Sequence, residues 1–184
     1  MMRSRTTTDT DSQSQRRKSW PSLFLAPSAA VGSALHVDAF ASHFWMFLFE
    51  GRKRWTFFPR SAVNRLEPVY AESMDPVFEA NIDSPGELRA FYFKRLRDFR
   101  LTATILSEFA DIGRCEVILG PGECLFVPQG SPHKVDNLEA TLAVSGNFVD
   151  ESNAADVAAH LRLNALQDSR AGDLLRELVA LKLV

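Results

Sequence analysis

Cysteine is scarce in this 184-residue sequence, with Cys115 and Cys124 as its only examples. Two cysteines are too few to hold a secreted fold together by disulfide bonds. Their spacing is not that of a metal site, so we predict two small core residues. The simplest expectation is a reducing intracellular compartment, either cytoplasmic or nuclear.

Long apolar runs and an excess of one charge are also missing. The longest apolar run, Phe44–Phe49, is far shorter than the roughly 18 residues of a membrane helix, so no membrane association is expected. The chain has 21 basic and 23 acidic residues and a net charge of −2. This balance gives no reason to expect direct nucleic-acid binding.

Composition divides the chain into three parts. Residues 1–19 are polar and carry a basic excess, which predicts a disordered basic arm. Residues 20–150 have the apolar content of one domain, with an insert at about 60–112. Residues 151–184 have helical periodicity and form the third part.

Helices are predicted in the insert and in the tail. Ser84 and Glu87 form a capping box that predicts a helix of about 15 residues. His160, on the predicted tail helix, is expected to be solvated. The tail also has an apolar stripe that either packs on the domain or pairs with a second copy in a homodimer. This stripe consists of Leu174, Leu175, Leu178 and Leu181.

Short runs of aromatic and β-branched residues, separated by glycine and proline, predict eight strands. Four precede the insert and four follow it, which is typical of an antiparallel sandwich or barrel and therefore of a mainly β fold. The predicted strands are Phe24–Leu25, Leu35–Phe40, Phe44–Phe49, Trp55–Phe58, Glu116–Leu119, Cys124–Val127, His133–Asn137 and Thr141–Phe148.

Three of these strand residues are candidate metal ligands. His36 and Asp38 are two residues apart, so an extended strand points both side chains to one face. In an eight-stranded jelly roll the second and seventh strands are neighbours, so His133 can meet this pair inside the barrel. Two neutral imidazoles and one carboxylate on one side of a metal hold non-haem Fe(II) and leave coordination positions open. A lone H-x-D is more often an ordinary hydrogen-bonded pair, so the hypothesis depends on a second motif.

The second motif surrounds His133. Gly122, Pro128, Gly130, His133 and Asn137 fit the spacing G-x5-P-x-G-x2-H-x3-N of the second cupin motif. The glycines and the proline set the turn that delivers the histidine to its strand. This five-point match is much more specific than H-x-D alone.

With these motifs, residues 20–150 resemble the jumonji-C branch of the cupin-like Fe(II)- and 2-oxoglutarate-dependent oxygenases. The most similar subgroup is that of the small lysyl hydroxylases and phosphatidylserine-receptor-like proteins, which carry a G-x-K-[RK]-W stretch after the first motif. Gly51–Trp55 has this pattern. The resemblance implies a double-stranded β-helix (jelly roll), a protein or peptide substrate, and dioxygen as the oxidant.

The resemblance also assigns roles to individual residues. It implies that His36, Asp38 and His133 hold Fe(II) and that Lys53 pairs with the distal carboxylate of the co-substrate 2-oxoglutarate. A lysine that reaches the barrel mouth is the alternative for Lys53. Further polar contacts to the co-substrate are implied for three residues, each of which is otherwise an ordinary core polar group: Ser33, Ser145 and Asn147.

The chain departs from the family pattern in three places. Met46 replaces an asparagine, Ser131 and Pro132 replace aromatic residues, and only 35 residues precede His36 where relatives have many more. We therefore expect that one flank of the barrel lacks its usual cover. The alternatives to a protein hydroxylase, with lysine as the first target, are a demethylase, a non-catalytic or truncated cupin that binds a partner, and a zinc or nickel cupin.

Overall fold

The computed structural model describes residues 21–28, 30, 32–70, 74–79, 82–83 and 113–184. The predicted arm at residues 1–19 and the predicted insert helix after Ser84 lie outside the described residues.

All eight predicted strands are present in the described part of the chain, together with two further strands of two residues each. The strands are β1 (Ser22–Ala26), β2 (Ser33–His36), β3 (His43–Glu50), β4 (Lys53–Phe57), β5 (Pro68–Val69), β6 (Val77–Phe78), β7 (Cys115–Leu119), β8 (Cys124–Val127), β9 (His133–Asn137) and β10 (Thr141–Phe148). Two-residue strands such as β5 and β6 have no readable alternation, so the sequence does not predict them.

The strands form two antiparallel sheets. One has the order β1-β10-β3-β8, and the other has the order β5-β6-β2-β9-β4-β7. Residues from both sheets meet in one buried cluster that includes Leu48, Trp55, Val127 and Ala143. The two sheets therefore pack face to face, as predicted for a mainly β jelly roll.

Burial along β10 shows why these residues form a strand of this sandwich. Thr141, Ala143 and Ser145 are buried, whereas the residues between them are partly exposed. This period of two is that of a strand with one face in the core.

The second strand is shorter than predicted. It ends at His36, and Ala39–Ala41 forms a 3-10 turn instead of continuing the predicted strand to Phe40. The φ angles of Phe40 and Ala41 are 57° and 54°, and this left-handed backbone cannot continue a strand. Asp38 itself remains extended, with φ −67° and ψ 143°.

The predicted tail helices are present as α1 (Ala154–Asn164) and α2 (Ser169–Ala180). Asp168 caps α2 by accepting the Arg170 backbone N–H at 2.9 Å. Within the predicted stripe, Leu178 is buried but Leu181 is 67% exposed. The stripe therefore packs only partly on its own chain, and the homodimer remains a prediction.

The prediction that both cysteines are core residues is wrong, because Cys115 and Cys124 are exposed. Among the described strands, they lie on β7 and β8, each of which is the last strand of its sheet. Side chains on a strand with a neighbour on one side only have fewer side chains beside them to cover them. Among the described residues, no helix has the length and apolar character required to cross a membrane.

Leu48 tests the packing between the sheets, because its side chain is completely buried. Leu48→Ala is expected to lower the free energy of unfolding by about 2–5 kcal/mol, since it removes buried apolar surface and leaves a cavity. Urea denaturation measures the change. Leu23→Ala is the matched control: Leu23 is 65% exposed, and the expected change is within about 0.5 kcal/mol. Equal losses in the two variants would contradict the described packing.

Candidate metal centre

The two candidate histidine ligands lie opposite each other on neighbouring strands. In the antiparallel pairing of β2 with β9, His36 faces His133, and their ring centroids are 4.3 Å apart. His133 is 1% exposed. The predicted meeting of the second and seventh core strands is therefore confirmed.

Backbone carbonyls fix how each imidazole is presented. Nδ1 of His36 lies 2.7 Å from the Ala34 carbonyl oxygen, and Nδ1 of His133 lies 2.9 Å from that of Ser131. A carbonyl only accepts hydrogen bonds, so in each neutral ring Nδ1 carries the proton and Nε2 keeps its lone pair. A hydrogen bond of this kind orients histidines that bind metals.

Asp38 brings a carboxylate to the same place. Its Oδ2 lies 3.9 Å from Nε2 of His133, and its Oδ1 lies 3.5 Å from the Asn147 amide nitrogen. One ligand atom each from His36, Asp38 and His133 lies within 4.8 Å of the others. The backbone at Asp38 is extended, as the sequence argument required for the side chains of His36 and Asp38 to point to the same face.

Burial opposes charge on this cluster. It raises the pKa of Asp38; the nearby His36 and the Asn147 hydrogen bond oppose the rise, and the negative charge of Asp75 adds to it. Burial, together with the neighbouring His36, lowers the pKa of His133 to about 4 against the opposing hydrogen bond to Ser131. His133 is therefore neutral at physiological pH, as a metal ligand must be. Two imidazole nitrogens and one carboxylate oxygen on one side fit a non-haem Fe(II) ion.

The cluster opens into a cavity of about 490 Å³ between the sheets. Much of its wall is apolar and includes Phe24, Phe44, Met46 and Trp55. Apolar walls with a few convergent polar groups are typical of a small-molecule site.

Lys53 brings a cation to this cavity. It is 4% exposed, so it does not reach out to solvent as the alternative interpretation required. Its Nζ donates to Oδ1 of Asn137, its cross-strand partner on β9, at 2.5 Å. Burial lowers the pKa of Lys53, and no carboxylate among the described residues lies within 4 Å of its ammonium group. A buried ammonium with only an amide partner favours an anionic ligand.

The other predicted contact residues differ in position. Ser33 and Asn147 line the cavity, whereas Ser145 is buried on β10 beside Met46 and is not part of the lining. Asn147 donates to both the Ser42 hydroxyl, at 2.8 Å, and Asp38. Its amide therefore orients a candidate ligand as well as facing the cavity.

Sequence reasoning included Asn137 only as a motif position and did not predict its contact with Lys53. Asn137 also donates to the Ala30 carbonyl oxygen at 3.4 Å, so one amide connects the lysine to the loop that follows β1. The motif asparagine was the available signal. Only the register of β4 with β9 identifies its partner.

The lowered pKa of His133 predicts how the stability of the metal-free protein depends on pH. Below the ordinary histidine pKa of 6.5 the unfolded chain gains a proton at His133, whereas the folded chain gains it only near pH 4. The free energy of unfolding should therefore fall by about 3 kcal/mol between pH 6.5 and 4 on account of this residue.

Urea denaturation across this pH range, compared with the His133→Asn variant, measures that contribution. The free energy of unfolding of the unsubstituted chain, minus that of the variant, should fall as the pH is lowered from 6.5 to 4. Parallel curves would contradict the burial of a neutral histidine.

Comparison with known proteins places this geometry in a family. The chain matches the cupin-like domain family over residues 5–154. Lysine-specific demethylase JMJ21 of Arabidopsis thaliana is 33% identical over 145 residues, which is 78% of this chain and 14% of that protein. Bifunctional arginine demethylase and lysyl-hydroxylase psr-1 of Caenorhabditis elegans is 32% identical over 133 residues, which is 71% of this chain and 30% of that protein.

A third relative is 2-oxoglutarate and iron-dependent oxygenase JMJD4 of Mus musculus, 26% identical over 121 residues, which is 66% of this chain and 24% of that protein. The chain thus spans less than a third of the length of each of these relatives. The matches confirm the resemblance that the two motifs predicted. The chain belongs to the cupin-like domain family.

Proposed function

We propose that this chain is an Fe(II)- and 2-oxoglutarate-dependent oxygenase that hydroxylates a side chain of a protein, with lysine as the first candidate. The observation that carries the proposal is the convergence of His36, Asp38 and His133 at a cavity that also contains a buried lysine. The names of two relatives, a lysyl-hydroxylase and a 2-oxoglutarate and iron-dependent oxygenase, support it.

His36, Asp38 and His133 would hold the iron. When bound, iron supplies the oxidation of a substrate C–H bond by dioxygen, coupled to the decarboxylation of 2-oxoglutarate to succinate and carbon dioxide. The backbone carbonyls that bind each Nδ1 leave both Nε2 atoms free to coordinate. Asn147 binds Oδ1 of Asp38 and thereby orients the carboxylate.

Lys53 would bind the distal carboxylate of 2-oxoglutarate. An unpaired charge in an apolar site costs several kcal/mol, so the ammonium and the carboxylate each stabilise the other. Asn137 holds the ammonium in place through its amide oxygen. The apolar walls exclude water from the co-substrate and strengthen this ion pair.

A demethylase is the second candidate, because JMJ21 and psr-1 are named as demethylases of lysine and arginine. Demethylation of N-methyl groups begins with hydroxylation, so the same ligands serve both reactions. Mass spectrometry of candidate peptides distinguishes them: a hydroxylase adds one oxygen atom, whereas a demethylase removes a methyl group as formaldehyde.

Asp38→Ala tests the oxygenase proposal. In the absence of oxygen, the unsubstituted chain should develop a weak visible metal-to-ligand charge-transfer band with Fe(II) and 2-oxoglutarate, and it should form succinate once oxygen is admitted. The variant should lose both. Its metal-free form should remain folded, because burial already disfavours the charged form of Asp38.

The control for this test is Asp156→Ala, which removes a carboxylate outside the cluster and should leave the band and succinate formation unchanged. A chain that binds iron but develops no band with 2-oxoglutarate would instead support a non-catalytic cupin.

Lys53→Met tests the co-substrate site, because methionine is similar in length but has no charge. The KM for 2-oxoglutarate should rise by about 30-fold or more, since losing one partner of a buried charge pair costs about 2 kcal/mol or more. The steady-state dependence of succinate formation on 2-oxoglutarate concentration measures it. Arg52→Met, at an exposed neighbour paired with Glu139, should leave KM unchanged, and an unchanged KM in Lys53→Met would remove Lys53 from the site.

A further inference from the structure

The turn that follows Asp38 has an unfavourable backbone. Phe40 and Ala41 are consecutive non-glycine residues with φ angles of 57° and 54°. Each left-handed residue of this kind costs on the order of 1 kcal/mol. Such a turn persists only where its surroundings impose it, so the groups that contact it help to determine where Asp38 lies.

Two groups from distant parts of the chain bind the backbone of this turn. Oδ2 of Asp75, in the segment between β5 and β6, accepts the Phe40 backbone N–H at 3.0 Å. The Asn153 amide, at the start of α1, donates to the Ala41 carbonyl oxygen at 3.2 Å. The Phe40 side chain packs against the buried cluster of α1 and α2. The turn is therefore held from outside the two sheets.

His160 supports Asp75 from α1. Its Nδ1 lies 3.4 Å from Oδ1 of Asp75 and is buried without a hydrogen-bond partner among the described residues. The contact is thus one of packing and electrostatics. It contradicts the expectation that His160 is solvated, because the His160 and Asp75 side chains are only 24% and 17% exposed.

Asp75 is also within electrostatic reach of the candidate ligand. Its negative charge adds to the rise in the pKa of Asp38. The same charge would attract a cation bound by Asp38. It should therefore strengthen metal binding, in addition to the hydrogen bond to Phe40 that helps to place Asp38.

We propose that Asp75 is a positioning residue for the metal ligand Asp38, and that His160 acts through Asp75 from helix α1. Asp75 holds the left-handed turn by accepting the Phe40 N–H, and His160 limits where the Asp75 carboxylate can lie. This inference rests on the proposed function, because it assigns Asp38 to a metal. It makes the affinity of the metal centre depend on a helix outside the barrel.

Titration of the metal-free protein with Co(II), followed by visible absorption of the bound ion, tests this role. Asp75→Ala should weaken Co(II) binding by about tenfold or more, as is typical when a group that orients a metal ligand is removed. Asp75→Asn keeps an oxygen that can accept the Phe40 N–H and loses the charge, so it should weaken binding by only about threefold.

His160→Ala should weaken Co(II) binding by an intermediate factor. Added to Asp75→Ala it should cause no further loss, because His160 acts through Asp75. Asp156→Ala is the matched control: it removes another carboxylate from α1, one that pairs with Arg60 and accepts a hydrogen bond from the Gln129 side chain, and it should bind Co(II) like the unsubstituted chain.

The proposal is overturned if Asp75→Ala is folded by circular dichroism and binds Co(II) within about twofold of the unsubstituted chain. Equal losses in Asp75→Asn and Asp75→Ala would also overturn it, because the hydrogen bond would then have no role. If Asp75→Ala does not fold, the Co(II) affinity of His160→Ala tests the proposal in its place. A His160→Ala variant that binds Co(II) as tightly as the unsubstituted chain overturns the proposal. Failure of the unsubstituted chain to bind Co(II) or Fe(II) is a distinct result, because it overturns the proposed function itself.

Discussion

The pairing of β9 with β2 on one side and β4 on the other is the constraint on which the rest of the site depends. It places His133 opposite His36 and Asn137 opposite Lys53. Side chains alternate along a strand, so a slip of one residue would turn both β9 residues away from the cavity. One register therefore determines both the candidate metal cluster and the candidate anion site.

The same interior disfavours the charges that it contains. Burial raises the pKa of Asp38 and lowers that of Lys53. In the chain alone these two shifts reduce stability at neutral pH, because each buried charge loses hydration that its neighbours replace only in part. A dication at the triad and a dicarboxylate at Lys53 would supply the missing opposite charges, so the cost in stability is consistent with a ligand site.

Sequence predicted the core strands and the candidate metal cluster because both leave local patterns: alternation for β10, and turn chemistry for the glycines and proline before His133. It failed where long-range contacts decide. Nothing near Phe40 indicates that the backbone becomes left-handed there, and nothing near Asp75 indicates that it binds Phe40. Cys115 and Cys124 were assigned to the core because their strands were recognised but not their positions at the sheet edges.

The separation of the two histidines along the chain has a consequence for folding. His36 and His133 come from opposite halves of the sequence, with about 100 residues between them, and closing a loop of this length costs about 4 kcal/mol in chain entropy. Neither half alone contains all three candidate ligands, so a nascent chain cannot assemble the cluster before β9 has been synthesised and paired. Capture of an ion by this candidate centre would then be a late event in maturation, and it would stabilise the finished fold over its precursors.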